Sequence, residues 1–225
     1  MATQTDGRSL HQSVTIRVGN RRLNGLLDVP HNAKGIVLFA HGSGSGRLSP
    51  RNQYVAGVLQ QSGTATLLFD LLDDEEAEDR ANVFDISLLA GRLEAAANWV
   101  AEQETIKHLQ PGYFGASTGA AAALVAAARQ ANAISAVVSR GGRPDLAATA
   151  LPLVQAPTLL IVGGDDEPVV ELNRRAYARL RCEKRLTIIP GATHLFPEPG
   201  ALEKVAHLAA DWFRQHFAVE PSPNL

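Results

Sequence analysis

A series of short apolar segments, separated by stretches with helical periodicity, constrains the fold of this chain more than any other feature. The segments include GIVLFA, ATLLFDLL, GYFGA, ISAVVS, PTLLIVGG and KRLTIIPG. The first has no polar face, which is typical of a strand buried on both sides of a parallel sheet. Repeated strand-helix units predict an α/β fold, in which helices cover both faces of a mainly parallel sheet as a three-layer sandwich.

The first part of the chain has a different pattern. The segment SVTIRVGNRRLNGLLDVP alternates between apolar and polar residues and turns at VGN, which predicts an antiparallel β-hairpin that Pro30 ends. No internal repeat or Pro/Ser/Gly-rich linker divides the 225 residues. We therefore expect one domain over 1–225, with its core at about 13–217, flexible termini including a frayed tail AVEPSPNL, and no large cap domain.

Charge and composition exclude several classes of function. The formal net charge is −2, which offers no general electrostatic reason to bind nucleic acid or an anionic membrane. Cys182 is the only cysteine, so a disulfide framework within the chain is excluded. The segment MATQTDGRSLHQ lacks the apolar core of a secretory signal, and no apolar run reaches bilayer length. We expect a cytoplasmic protein with a small-molecule or protein partner.

The acidic run DDEEAED, Asp73 to Asp79, follows a predicted strand. Its charge favours a solvated loop. Because open α/β sheets bind ligands beyond the carboxyl ends of their strands, the run could also form the rim of a ligand site.

Ser117 lies in YFGASTGAAAAL, between a short apolar strand and an alanine-rich helix. With Gly115 and Gly119 it matches G-x-S-x-G, in which a sharp strand-to-helix turn exposes the serine and leaves room for small residues only. The helix that starts at Thr118 offers free N–H groups and a positive dipole end to a developing oxyanion. A plain tight turn and a phosphate-binding helix start are the alternatives.

An acid and a histidine follow later strands. Asp165 and Asp166 come after PTLLIVGG, and His194 comes after the strand LTIIPG. The carboxyl ends of parallel strands meet at one edge of a sheet. The order Ser, Asp, His is that of α/β-hydrolases and differs from those of chymotrypsin and subtilisin.

With these residues in place, the sequence resembles an α/β-hydrolase of the dienelactone hydrolase-like group. It is most similar to compact hydrolase domains found beside or fused to phosphoribosyltransferases, through HGSGSGRLSPRN, FGASTGAAAAL, SRGGRPDLA and PGATHLF. The resemblance covers about Ser13 to Phe217. True dienelactone hydrolases have a cysteine at the position of Ser117, which argues against a dienelactone as the substrate.

The resemblance implies a role for each candidate residue. Ser117 would be the nucleophile, His194 the general base and later acid, and Asp166 the residue that orients the imidazole. Asp166 is favoured because the hydrolase pattern places the acid three residues after a glycine, here Gly163. Asp165 would then be a turn or helix-capping residue.

The loop HGSGSG, His41 to Gly46, follows the third predicted strand. In α/β-hydrolases this loop supplies one N–H of the oxyanion hole, here the backbone of Ser43, and the residue after the nucleophile, Thr118, supplies the other. A flexible turn is the alternative. His41 is a further candidate for the site, either as a substrate-binding or catalytic side chain or as a residue that shapes this loop.

Other side chains could contact a substrate. Arg140, just past the strand ISAVVS, would recognise an acidic group or would pair with a loop carboxylate, and Arg47 and Arg51 are weaker candidates of the same kind. Three apolar residues could line an acyl pocket or belong to the core: Phe84, Leu195 and Phe196. No H-E-x-x-H or comparable spacing predicts a metal, and no cofactor is expected.

The leading hypothesis is a serine hydrolase that cleaves an ester, thioester or related acyl bond of a small substrate through an acyl-enzyme. A nucleotide-binding oxidoreductase is the alternative from another class, but G-x-G-x-x-G would need glycine at Arg47, and no G-K-[ST] is present. A catalytically silent binding module, partnering a phosphoribosyltransferase, is the third hypothesis.

Overall fold

The computed structural model describes residues 9–217. The strands in this range are β1 (Leu10–Val18), β2 (Arg21–Val29), β3 (Gly35–Ala40), β4 (Ala65–Phe69), β5 (Gln110–Ala116), β6 (Ala136–Arg140), β7 (Thr158–Gly163) and β8 (Lys184–Ile189). The α-helices are α1 (Pro50–Gln61), α2 (Asp74–Glu78), α3 (Arg80–Phe84), α4 (Ile86–Glu102), α5 (Thr118–Arg129), α6 (Glu167–Arg179) and α7 (Ala201–His216). Short 3₁₀ turns cover Ala131–Ala133, Pro144–Ala147 and Leu151–Leu153.

The strands form one mixed sheet in the order β1-β2-β4-β3-β5-β6-β7-β8. The β1–β2 and β2–β4 pairs are antiparallel, and every later pair is parallel. The predicted mainly parallel sheet with an N-terminal hairpin is therefore confirmed. Ala40 pairs with Gly115 and Ala116 pairs with Arg140, so the carboxyl ends of β3, β5 and β6 lie level at one edge.

Helices cover both faces of the sheet. Helices α1 and α7 pack on one face against Val37, Phe39 and Val138, whereas α4, α5 and α6 pack on the other. Strands β3, β4, β6 and β7 are buried at every residue, and for β3 this confirms the prediction from its lack of a polar face. Between β4 and α4 the chain forms only the short helices α2 and α3, in agreement with the absence of a large cap in the predicted fold class.

The acidic segment 73–79 differs from its prediction as a solvated loop, because Asp74–Glu78 forms a helical turn. Asp73 and Glu76 form a capping box, in which each carboxylate accepts a hydrogen bond from the other residue's backbone N–H. The side chain of Glu76 also pairs with Arg92, and both side chains are only 10% exposed. The helical turn is what differs from the prediction, because Asp74, Glu75, Glu78 and Asp79 are exposed and the run is therefore still largely solvated.

The predictions of flexible termini and a frayed tail concern residues 1–8 and 218–225, which lie outside the described residues. No helix within 9–217 is long and apolar enough to cross a membrane.

Candidate active site

Ser117 occupies a strained turn between β5 and α5. Its backbone has φ +52° and ψ −120°, a conformation that non-glycine residues rarely adopt and that costs about 1–3 kcal/mol. The flanking glycines leave no space for side chains. A Cβ on Gly115 would lie 2.4 Å from the Cα of Ala120, and a Cβ on Gly119 would lie 2.2 Å from the carbonyl oxygen of Ala40. The turn predicted from G-x-S-x-G is therefore present.

Backbone hydrogen bonds hold this turn in place. The Ser117 N–H donates to the carbonyl of Arg140 at 3.2 Å, and the N–H of Arg143 donates to the Ser117 carbonyl at 3.1 Å. Both partners belong to the end of β6 and the loop after it. The neighbouring strand thus determines the strained conformation, which the serine would not adopt by itself.

Asp166 and His194 form a hydrogen-bonded pair at the same edge of the sheet. Asp166 follows β7 and His194 follows β8, and the distance from His194 Nδ1 to Asp166 Oδ2 is 2.7 Å. The Asp166 side chain is 16% exposed and that of His194 is 38% exposed. A neutral imidazole that donates from Nδ1 has its free lone pair on Nε2, which has no hydrogen-bond partner among residues 9–217.

Asp165 occupies a different position from its neighbour. Its side chain is exposed and makes no hydrogen bond within the described range, whereas its backbone N–H donates to the carbonyl of Ala192 at 3.0 Å. Asp166 is the residue before α6, but its side chain makes no capping hydrogen bond. The carboxylate of Asp166 is therefore available to His194, and Asp165 contributes only to the turn.

Gly141 connects the serine turn to the histidine loop. It follows Arg140, the backbone partner of Ser117, and a Cβ at Gly141 would lie 3.6 Å from His194 Cε1. No hydrogen bond joins the Ser117 hydroxyl to His194 in the part of the chain that the structure describes. Such contacts often tighten only when substrate is bound.

The loop after β3 approaches the serine closely. A Cβ on Gly42 would lie 3.1 Å from the Cβ of Ser117. The backbone N–H of Ser43 donates to the side-chain oxygen of Thr118 at 3.1 Å. The two residues predicted to form the oxyanion hole are therefore adjacent. One of the two donors is, however, occupied by the Thr118 hydroxyl, which sequence reasoning did not foresee.

His41 uses both ring nitrogens within the protein. Nδ1 lies 3.0 Å from the carbonyl of Gly42, and Nε2 accepts a hydrogen bond from the N–H of Leu71 at 3.0 Å. Burial lowers the pKa of His41 below its ordinary value, so the ring is neutral at neutral pH. With no nitrogen left for a substrate, His41 shapes the loop by tying it to the end of β4.

Arg47 is held by a carboxylate in the same loop. Its backbone N–H donates to Asp70 Oδ1 at 2.8 Å, and its guanidinium pairs with Asp70 Oδ2. Asp70 directly follows β4, and this position at a strand end is the sequence signal that could have identified it. Arg47 therefore pairs with a loop carboxylate, which is the structural role that the sequence had also left open for Arg140.

Hydrogen bonds between Thr193 and Glu198 support the loop that carries His194. Glu198 Oε1 accepts hydrogen bonds from both the backbone N–H and the hydroxyl of Thr193, at 3.1 and 2.6 Å. Thr193 immediately precedes His194. A contact between residues five apart in a loop has no characteristic sequence pattern, so Glu198 was not found from the sequence.

Arg140 is buried at the end of β6, with 7% of its surface exposed. No acidic side chain in the described range pairs with it, so the predicted pairing with a loop carboxylate is absent. Burial, and then the nearby charge of Arg51, lower the pKa of Arg140 to about 10, so it is still a cation at neutral pH.

A cavity of about 570 Å³ lies between the loop after β3 and the segment from the end of β4 to α4. Its lining includes Ser43, Arg51 and the apolar side chains of Leu72, Val83 and Leu89. The candidate pocket residues lie elsewhere. Phe196 is buried in the core beneath α7, and Phe84 and Leu195 are 46% and 44% exposed outside this cavity.

Within residues 9–217 no group of three or more His, Cys, Asp or Glu side chains is arranged to hold a metal ion. The arrangement at this edge instead brings together a strained serine, an Asp–His pair and backbone N–H groups. These are the components of nucleophilic acyl transfer.

Comparisons with known proteins identify the family and the fold of the chain. The sequence profile of the dienelactone hydrolase family matches residues 54–218. The solved dienelactone hydrolase of Anabaena variabilis is 57% identical, with a TM-score of 0.90 over 92% of this chain and 98% of that one. An esterase domain from Rhodothermus marinus is 18% identical, with a TM-score of 0.75 over 93% of this chain and 100% of that one, and it shows the common fold alone.

A protein of Mycobacterium tuberculosis that carries the provisional name of a phosphoribosyl transferase is 58% identical over 213 residues. The match covers 95% of this chain but only 48% of the mycobacterial protein. The profile match spans most of the sequence and includes Ser117, Asp166 and His194. By this match and by its likeness to the Anabaena enzyme, the chain belongs to the dienelactone hydrolase family, whose members have an α/β-hydrolase fold.

Proposed function

We propose that this protein is a serine hydrolase that cleaves an ester, thioester or related acyl bond of a small substrate. The observation that carries the proposal is the strained Ser117 turn at the sheet edge that also holds the hydrogen-bonded Asp166–His194 pair. Strain of this kind persists only where the surrounding structure imposes it, and it clusters at active sites. Family membership supports a hydrolase, and a serine-dependent mechanism is the step that we add.

In the proposed reaction the Ser117 hydroxyl attacks the acyl carbon as His194 Nε2 takes its proton. Asp166 keeps the imidazole in the required tautomer and stabilises the imidazolium. The tetrahedral intermediate collapses when the leaving group departs with the proton from His194, which forms an acyl-enzyme. Water, deprotonated by His194, then releases the acid and restores Ser117.

The oxyanion hole requires one rearrangement. The Thr118 N–H stands at the first position of α5 and can point toward a developing oxyanion, but the Ser43 N–H donates to the Thr118 hydroxyl. We propose that the oxyanion replaces this hydroxyl as the acceptor. Until then the hydroxyl holds Ser43 close to its position in the transition state, which reduces the reorganisation that the reaction requires.

The space next to the candidate oxyanion loop favours small substrates. The cavity of about 570 Å³ is lined by Ser43 but not by Ser117 or His194, so it would hold a part of the substrate beside the reacting bond, and its volume lies within the range of small-molecule sites. The short helices α2 and α3 border it. A long lipid chain would extend beyond this space.

The name of the mycobacterial relatives raises phosphoribosyl transfer as a second activity. Because this chain corresponds to 48% of those proteins, we propose that such a transfer activity belongs to the half that this chain does not match. On this proposal the hydrolase domain works beside a phosphoribosyltransferase. A catalytically silent accessory domain is the competing hypothesis.

A fluorophosphonate probe tests the proposal, with intact-mass analysis and peptide mapping. We expect one adduct at Ser117 in the wild-type protein, none in Ser117→Ala, and labelling slowed by at least about 100-fold in His194→Ala. Ser45→Ala removes an exposed hydroxyl from the loop after β3 and should label normally. Absence of an adduct in the folded wild-type protein would favour the silent domain.

A further inference from the structure

Arg140 has no partner for its charge among residues 9–217. Its Nε and Nη1 atoms are enclosed by protein and make no hydrogen bond. Within the same residues Nη2 has no hydrogen-bond partner either, and it is not among the enclosed atoms. Burying a cation without a counter-charge destabilises the folded state, so a side chain of this kind requires an explanation.

The direction of the side chain follows from its strand. Side chains alternate across a sheet, so Arg140 lies on the same face as Val138, the face covered by α1 and α7. It is the last residue of β6, and its carbonyl accepts the hydrogen bond of the Ser117 N–H. The guanidinium therefore lies at the active-site edge, on the face of the sheet that α1 and α7 cover.

The nearest charge is also positive. The charge of Arg51, in the first turn of α1, acts on Arg140, and Arg51 makes no ion pair in the described part of the chain. Arg51 lines the 570 Å³ cavity together with Ser43. Within residues 9–217 neither guanidinium meets a counter-charge: Arg51 lines the cavity next to the candidate oxyanion loop, and Arg140 lies buried at the sheet edge within reach of the charge of Arg51.

We propose that Arg140 and Arg51 form an anion-binding subsite, and that the substrate carries a compact oxyanion, a carboxylate or a phosphate, near its scissile bond. This inference rests on the proposed function, because it names the substrate class of the same site. A guanidinium offers paired donors to either anion. Two cations match a phosphate monoester, which carries about −1.5 to −2 charges at neutral pH, better than a carboxylate. We therefore expect phosphate to bind more tightly.

Binding can be tested without any hydrolysis. Thermal unfolding is measured in inorganic phosphate, in acetate and in sodium chloride at one ionic strength, which separates specific binding from screening. We expect phosphate, and acetate more weakly, to raise the Tm of the wild-type protein and of Ser117→Ala. Because Ser117→Ala has no nucleophile, this result does not depend on whether the serine mechanism is right.

Arg140→Met should abolish the increase in Tm. This variant removes a buried unpaired charge and keeps an unbranched side chain, so we expect it to fold with unchanged or higher stability in chloride. Arg51→Gln, at an exposed position, should weaken the response. Arg143→Gln removes a cation that is already paired with Asp145, and it should retain the full response.

Steady-state kinetics are compared for three esters of one alcohol, whose acyl groups are uncharged, carry a carboxylate or carry a phosphate. The comparison identifies the anion that the site uses. Arg140→Met should raise KM for the preferred anionic ester by about 10- to 100-fold, the range of a hydrogen bond between charged groups, and change the neutral ester little. A lower KM for the phosphorylated or for the carboxylated ester shows whether the subsite binds a phosphate or a carboxylate. The proposal fails if neither anion raises the Tm, or if Arg140→Met responds as the wild type does.

Discussion

Replacing Asp166 by asparagine tests the assignment of the triad acid, and Asp165→Asn is its matched control. The two residues are adjacent and carry the same charge, but only Asp166 hydrogen-bonds to His194, at 2.7 Å. A hydrogen bond to a charged group contributes about 1.5–3 kcal/mol, which corresponds to about 10- to 150-fold in rate.

The tautomer adds to this loss. An asparagine amide that donates to Nδ1 would move the imidazole proton to Nε2, where the lone pair is needed to accept the proton of Ser117. We therefore expect Asp166→Asn to lower kcat by about 100- to 10,000-fold, with KM changing much less. Asp165→Asn should stay within about threefold of the wild type, because its exposed carboxylate makes no hydrogen bond within residues 9–217.

The assay is steady-state hydrolysis of a small aryl ester, combined with the rate of fluorophosphonate labelling, which reports on serine activation without product release. Circular dichroism and Tm establish that both variants are folded. If Asp165→Asn loses as much activity as Asp166→Asn, or if Asp166→Asn keeps more than a third of the wild-type rate, the assignment is wrong.

Three further predictions concern Gly119, Thr118 and His41. Gly119→Ala should destabilise the fold by about 1–3 kcal/mol in urea unfolding, because its Cβ would lie 2.2 Å from a carbonyl oxygen. Gly57→Ala, in open space on α1, should stabilise it by up to about 1 kcal/mol. Thr118→Val removes the acceptor of the Ser43 N–H, so we expect kcat to fall by about 3- to 30-fold and Thr118→Ser to restore it. Burial lowers the pKa of His41, so the unfolded chain binds the extra proton first, and the free energy of unfolding should decrease as pH falls below about 6.5.

Each of these predictions has an outcome that would contradict it. Equal stability changes in the two glycine variants would mean that the close approach at Gly119 is relieved at no cost. A Thr118→Val enzyme with wild-type kcat would show that its hydroxyl does not position the loop. For the pH dependence, the comparison is His41→Gln. A decrease in stability that is equally large in this variant would assign it to other groups.

Local sequence patterns were sufficient for the elements that build the site. Gly115, Ser117 and Gly119 predicted a strand-to-helix turn because the steric requirement involves residues close in sequence. The positions of Asp166 and His194 after successive strands placed them at one edge, since parallel strands bring their carboxyl ends together. The chemical roles of these three residues are still predictions.

Patterns of charge were less informative. The run Asp73 to Asp79 was predicted to be a solvated loop, and most of its acidic side chains are exposed, but it forms a helical turn that Asp73 and Glu76 cap and that Arg92 supports by pairing with Glu76. The sequence left two roles open for Arg140, recognition of an acidic substrate group and pairing with a loop carboxylate, and it offered Arg47 as a weaker candidate of the same kind. Arg47 pairs with a loop carboxylate, whereas Arg140 has no carboxylate partner in the part of the chain that the structure describes.

The sequence by itself determined the α/β class, the sheet with its hairpin and the serine turn, because periodicity, turn residues and small-residue requirements act over a few neighbouring positions. Only the tertiary structure decided which acid meets His194, that the Thr118 hydroxyl occupies the Ser43 N–H, and that the buried Arg140 meets no counter-charge among residues 9–217. These contacts depend on the distances and burial of groups that are remote in the chain. They exist only once the sheet has brought its strand ends together.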